Sequence, residues 1–289
     1  MDATKTVMPQ QHTQTTALTI FILLTFSLAW IPFFVALATG AIDGTRPNSW
    51  TMIAGIGFPF GAAVSAFIVR QFITHEGYKD VGLRWRIPLR YYLLAVGLPL
   101  LWSSIALALN LLISGEKFII APSPLELMMY GLQLIVTALI LFGEEFGWRS
   151  YLLQKWQSWG MPRALITTSL IWGLWHIPIV MTPSIFIAAD IGSPFVAIPG
   201  QIAYVTLLGI LIGWIYLKSA SIWPAMLMHS VSNTWIAFLD GFLDGGTPLS
   251  YGVTTWLWSA PLLCFVVVLA LMGQFKSTKR TEAQGATSP

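Results

Sequence analysis

Charge is what this sequence is short of: Asp, Glu, Lys and Arg make up 9% of its 289 residues, against about 25% in soluble domains. Hydrophobic residues make up 56%. That balance excludes an ordinary water-soluble globule and points to helices that pair their backbone groups internally, as a bilayer requires. Cysteine is almost missing as well. Cys264 stands alone, which excludes an intramolecular disulfide and any CxxC-type metal cluster. There is no HExxH, no soluble domain and no internal repeat, and low complexity is confined to the Thr/Gln-rich N-terminus and a short C-terminal tail. The net charge of +3 is small, so no nucleic-acid partner is read from it.

What the chain does have is long apolar runs. The first, Ala17–Ala38, is too long to read as a removable signal peptide. Further runs near the roughly 20 residues a bilayer needs fall at about Trp50–Phe72, Tyr91–Ile113, Glu126–Gln154, Arg163–Met181, Pro199–Leu217, Ser221–Leu239 and Thr254–Phe275. The expected fold is therefore all-α, a polytopic transmembrane bundle of about eight spans. The expected organisation is a cytoplasmic tail over 1–16, a helical membrane domain over 17–275 and a cytoplasmic tail over 276–289. Pro59, Pro99 and Pro178 should kink or shorten their helices.

Lys and Arg accumulate in cytoplasmic loops, which gives an independent check on the spans. With the N-terminus inside, one side receives Lys5, Arg70, Lys79, Arg84, Arg86, Arg90, Arg149, Lys155, Arg163, Lys218, Lys276, Lys279 and Arg280, and the other only Arg46 and Lys117. Both termini are then cytoplasmic, and the basic loop Lys79–Arg90 reads as a topology determinant. Trp50, Trp156, Trp159, Trp223 and Trp256 near span ends suggest an aromatic belt.

Against this background the intramembrane polar residues stand out. Glu144 and Glu145 are adjacent at the end of an apolar stretch, where a buried charge costs roughly 2.5 to 3.5 kcal/mol on insertion scales. His12 and His75 fall in a tail and a loop, whereas His176 and His229 lie within the fifth and seventh runs. Glu145 and Arg149 are four apart and share a helix face, suiting a charge-assisted pair. Glu144 is rotated by about 100° from Glu145 and is available for another role. His229 and Asn233, like Trp172 and His176, are also four apart. Counted from Gln154, Arg163 and Ser221, Glu144, His176 and His229 lie about 15, 20 and 12 Å deep, close enough to converge on one cavity opening toward the cytoplasm. A carboxylate and an imidazole sharing a water can take its proton. A second imidazole with a carboxamide can hold an oxyanion, at roughly 3 kcal/mol per donor. Such a set suits amide hydrolysis.

The motif Glu144-Glu145-Phe146-Gly147-Trp148-Arg149 resembles the EExxxR signature of the CPBP family, the CAAX proteases and bacteriocin-processing enzymes also called ABI. Trp172-Gly173-Leu174-Trp175-His176 is similar to its FxxxH motif, with Trp in the aromatic position, and His229-Ser230-Val231-Ser232-Asn233 to its HxxxN motif. The resemblance covers about Leu125 to Phe238, with a Gly-rich segment around Gly209 and Gly213 between the motifs. It implies an intramembrane endopeptidase of the type II CAAX prenyl kind in a prokaryotic plasma membrane. Glu144 and His176 would activate water, His229 and Asn233 would stabilise the oxyanion, and Glu145, Arg149 and Trp172 would shape the site. The implied partner is a membrane-associated peptide or protein, prenylated in the eukaryotic members. No cofactor is expected. Were zinc present, His176, His229 and Glu144 would be its ligands, with an open position.

Two other functions fit the same polar cluster: a non-catalytic immunity or scaffold protein, and a proton-coupled transporter. For the remaining polar residues, packing is the plain reading of Asn110 and Gln133, a close-packing face that of Gly209 and Gly213, and solvated outer-loop charge that of Asp240 and Asp244.

Overall fold

The computed structural model describes residues 7–40, 49–181 and 190–276, and the side chains of the first stretch from 14 onward. Lys5, Arg46, Lys279, Arg280, the His12 side chain and most of the expected C-terminal tail lie outside what is described. The chain is a helical bundle with one two-residue ribbon, β1 (Lys117–Phe118) against β2 (Leu243–Asp244). Its long helices are α1 (Val7–Ala38), α2 (Ser49–Ile68), α3 (Leu89–Ser114), α4 (Pro124–Gly147), α5 (Met161–Trp175), α7 (Pro194–Ser219), α8 (Ile222–Asp240) and α9 (Tyr251–Leu271), with a short α6 (Ile177–Met181).

Among the described residues, seven of these are both long and apolar enough to cross a membrane. The eighth, α8, is long enough but carries His229, Ser230, Ser232, Asn233 and Thr234 in consecutive turns. Its polar residues are accommodated where α3, α4 and α7 pack against it. α1 packs on α2, α2 on α4, α4 on α8, α8 on α3, α3 on α9, α9 on α7 and α7 on α5. The Trp30 indole, donating to the Trp175 carbonyl at 2.9 Å, closes the ring between α1 and α5.

Glycine sets how closely these helices approach. A Cβ on Gly143 would lie 2.1 Å from the Pro59 carbonyl oxygen, and one on Gly147 would lie 2.4 Å from Ala62 Cβ. The two glycines flanking the Glu pair thus let α4 press against α2. On α7, Gly209 and Gly213 meet Ser169 and Leu165 in the same way, as their spacing suggests.

α4 begins at a capping box in which Ser123 and Glu126 exchange hydrogen bonds. At its far end it continues into a π-helical turn, Trp148–Leu153, and stops at Trp159. Trp148, Tyr151, Phe21, Phe58 and Trp175 pack there into an aromatic core. Tryptophan therefore serves two purposes. Trp50, Trp159 and Trp256 are exposed near helix ends, whereas Trp156, expected in the belt, is buried against Trp159.

The basic end of the bundle is sealed by the loop between α2 and α3. Five successive carbonyls each receive a donor: Asp80 from Gln154 Nε2, Val81 from Ser150 Oγ, Gly82 from Ile222 N, Leu83 from Trp223 Nε1 and Arg84 from Ser221 Oγ, all at 2.7–3.0 Å. Gly82 has a φ of +77° and lies against Tyr216, a conformation and a space that suit glycine. Buried Arg70 anchors the loop, donating to Gly77 O, to both oxygens of Asp80 and to Ser150 O.

Candidate active site

Helix α5 ends where Pro178 follows it. His176 N–H bonds back to Gly173 O at 3.2 Å in a tightened last turn, so the Trp172 carbonyl loses its usual i+4 partner. The His176 ring takes its place, with Nδ1 2.8 Å from Trp172 O. A carbonyl can only accept, so Nδ1 carries a proton, and in the neutral ring Nε2 keeps its lone pair. The local break thus fixes the tautomer of a buried histidine.

On α4 the Glu pair divides as its spacing implies. Glu145, fully buried, accepts at Oε1 from Arg149 Nη1 at 3.1 Å and pairs there with His229 Nδ1 at 2.8 Å. It therefore links α4 to α8 and orients the second imidazole. Glu144 points elsewhere, its Oε2 accepting the Trp172 indole N–H at 2.9 Å.

Trp172 joins these parts. Its ring lies edge-on to His176 and His229, with centroids 5.0 and 5.1 Å away, and the Arg149 guanidinium sits 4.1 Å from its centroid. The sequence expectation gives Trp172 the aromatic position of its motif and a part in shaping the site. The indole N–H, which distinguishes Trp from Phe at this motif position, was the available signal of a polar role. Gly143 and Gly147, absent from the expected site, carry a signal of their own in the four-residue spacing of a close-packing face.

Glu144, Trp172, His176, His229 and Asn233 all line one cavity of about 600 Å³. Its walls are otherwise largely apolar, with Phe58, Leu107, Tyr204, Val205, Leu208 and Trp258 among them. The cavity runs from the Glu/His cluster toward Asn110, Glu116, Asp240 and Tyr251, at the end of the bundle away from the sealing loop. The sequence expectation is an opening toward the basic end, where five backbone carbonyls are tied down. Asp240, read as a solvated loop charge, lines the cavity, and Asn110 does too, donating to Glu116 at 3.4 Å. A second hollow, along one face of α1 from Phe26 to Thr39, carries no titratable group.

The zinc alternative fits this arrangement poorly. Among the described residues, Glu144, His176 and His229 do not gather into a metal-holding set.

A buried carboxylate, two oriented imidazoles and a carboxamide are thus gathered around one largely apolar cavity within a bundle of membrane-length helices. Residues 125–235, which supply all of these groups, match the family model described as Type II CAAX prenyl endopeptidase Rce1-like. Comparison with curated proteins gives no match.

Proposed function

We propose that this protein is an intramembrane endopeptidase that hydrolyses a peptide bond of a membrane-associated substrate. The observation that carries the reading is the convergence of Glu144, His176, His229 and Asn233, from three helices, on one cavity. A water held between the Glu144 carboxylate and His176 Nε2 gives up one proton to the carboxylate as its oxygen attacks the scissile carbonyl carbon, while His176 Nε2 accepts a hydrogen bond from its other O–H. The oxyanion that forms is met by Asn233 and by His229 Nε2, which donates when the ring is protonated. Collapse of the tetrahedral intermediate expels the amine, which takes back the proton.

Glu145, Arg149 and Trp172 act as positioning residues. Glu145 holds the His229 ring, Arg149 balances the charge of Glu145, and Trp172 fixes Glu144. The apolar walls suit a hydrophobic segment or a lipidated one, and the Rce1-like match favours the latter. The test is cleavage of a fluorogenic prenylated CAAX-type peptide, and of an unmodified membrane peptide, by the purified protein. Wild type should cleave at least one, and Glu144→Ala neither. Cleavage that survives a chelator supports the metal-free route, and cleavage abolished by it moves His176 and His229 to metal ligands.

A further inference from the structure

Helix α7 presents different faces to different neighbours. One face packs against α5: Gly213 lies against Leu165 and Gly209 against Ser169, and a Cβ on Gly173 would meet Ile202 O at 3.0 Å and Thr206 Oγ1 at 2.9 Å. The two helices therefore run antiparallel, and their pairing puts Gln201 level with the end of α5, where His176 sits. Gln201, Tyr204, Val205 and Leu208 form another face, at the i, i+3, i+4, i+7 spacing of one helical stripe. All four line the active-site cavity.

Within that stripe Gln201 is only 4% exposed. Its Oε1 accepts the Tyr251 hydroxyl of α9 at 2.6 Å. The phenol proton is thereby spent on Oε1, and the two N–H groups of Nε2 have no hydrogen-bond partner among the described residues. A buried donor left unpaired is costly, and in a cavity wall the cost is recovered when a ligand brings an acceptor. Glu144, His176, His229 and Asn233 serve the reacting atoms, which leaves this donor without a task. A neutral donor suits a neutral carbonyl; a carboxylate would share the cavity with Glu116 and Asp240. An extended peptide chain supplies such carbonyls at every residue.

We propose that Gln201, held by Tyr251, is a substrate-binding residue whose Nε2 donates to a backbone carbonyl of the bound peptide beside the scissile bond. Such a contact fixes the register of the chain against Glu144 and His176 without selecting a side chain. The proposal rests on the peptide-hydrolase reading for the chemistry of its ligand, and it is tested by binding, without turnover.

The peptides of the cleavage assay, carrying a fluorophore, are titrated by anisotropy against full-length Glu144→Gln protein in detergent. Gln201→Met in that parent keeps the length of the side chain and removes both donors. The dissociation constant is expected to rise about three- to tenfold, the scale of one lost hydrogen bond. A second peptide series replaces one backbone amide at a time near the scissile bond with an (E)-alkene, which deletes the carbonyl acceptor. One alkene peptide should bind the parent more weakly by a similar factor and lose nothing further on Gln201→Met, a coupling that a merely structural role would not produce. Should Gln201→Met fail to fold, Tyr251→Phe, which frees the carboxamide to turn, should shrink the penalty of that same alkene. Equal binding by Gln201→Met, penalties that add at every position, or an alkene profile unchanged in Tyr251→Phe would overturn the proposal. Failure of the hydrolase reading looks different, because wild type then cleaves neither peptide.

Discussion

His229 Nδ1 and Glu145 Oε1 lie 2.8 Å apart, joining the two helices that carry the motifs at a carboxylate already paired with Arg149. Removing that carboxylate leaves a buried guanidinium uncompensated. Glu145→Ala should therefore lose roughly 3–5 kcal/mol of stability, read from denaturation in detergent. Glu145→Ala with Arg149→Met should recover much of it, because the second change removes the orphaned charge. A double variant no more stable than Glu145→Ala would contradict the pairing.

Trp172→Phe separates ring from donor. The ring packing over Arg149 survives, while Glu144 loses its indole hydrogen bond. A hydrogen bond to a charged group contributes roughly 1.5–3 kcal/mol, so cleavage should fall about ten- to a hundredfold while the fold is retained with a midpoint lower by several degrees. Unchanged turnover would show that Trp172 only fills space.

Gly143→Ala and Gly147→Ala push a methyl group into α2, at the Pro59 carbonyl and at Ala62. Overpacking of this kind costs about 1–3 kcal/mol, and here it also displaces the helix segment carrying both carboxylates. Reduced thermal stability together with reduced cleavage is expected. An Ala substitution at the open position Gly131, where a Cβ meets nothing, should leave both unchanged.

The helical class, the spans and the pairing of Glu145 with Arg149 were legible in the sequence because they follow from local rules: apolar run length and i,i+4 spacing. Which helices are neighbours is not local, so the contact of Glu145 with His229 could not be read from either motif alone. The hydrogen bonds that span the basic end are non-local in the same way. Depth along a helix gives distance from each surface, but the seal over residues 80–84 forms through pairings such as Ser221 with Arg84 O, 137 residues apart. α8 failed the apolar criterion because the functional residues themselves dilute its hydropathy.

The sealing loop should respond to acid. Burial pushes the Asp80 carboxyl up, but its hydrogen bonds and charge pairing with Arg70 outweigh that and hold it below the ordinary carboxylate value. A group with a depressed folded value contributes stability above its unfolded value near 3.8 and loses it as pH falls through the folded one. Limited proteolysis in the 74–88 loop should therefore accelerate below about pH 4 in wild type, and Asp80→Asn should lose that acid response. Cleavage of the loop at the same rate across pH in wild type would contradict the anchoring role.

The most direct test of the central claim compares wild type with Glu144→Gln, a nearly isosteric change that keeps an acceptor for Trp172 and removes the base. Both proteins are purified in the same detergent, matched for unfolding midpoint and incubated with the membrane peptides, and products are identified by mass. The account predicts a defined cleavage product from wild type and a loss of at least about a hundredfold in Glu144→Gln, the scale of a general base. Equal cleavage by the two folded proteins would contradict it.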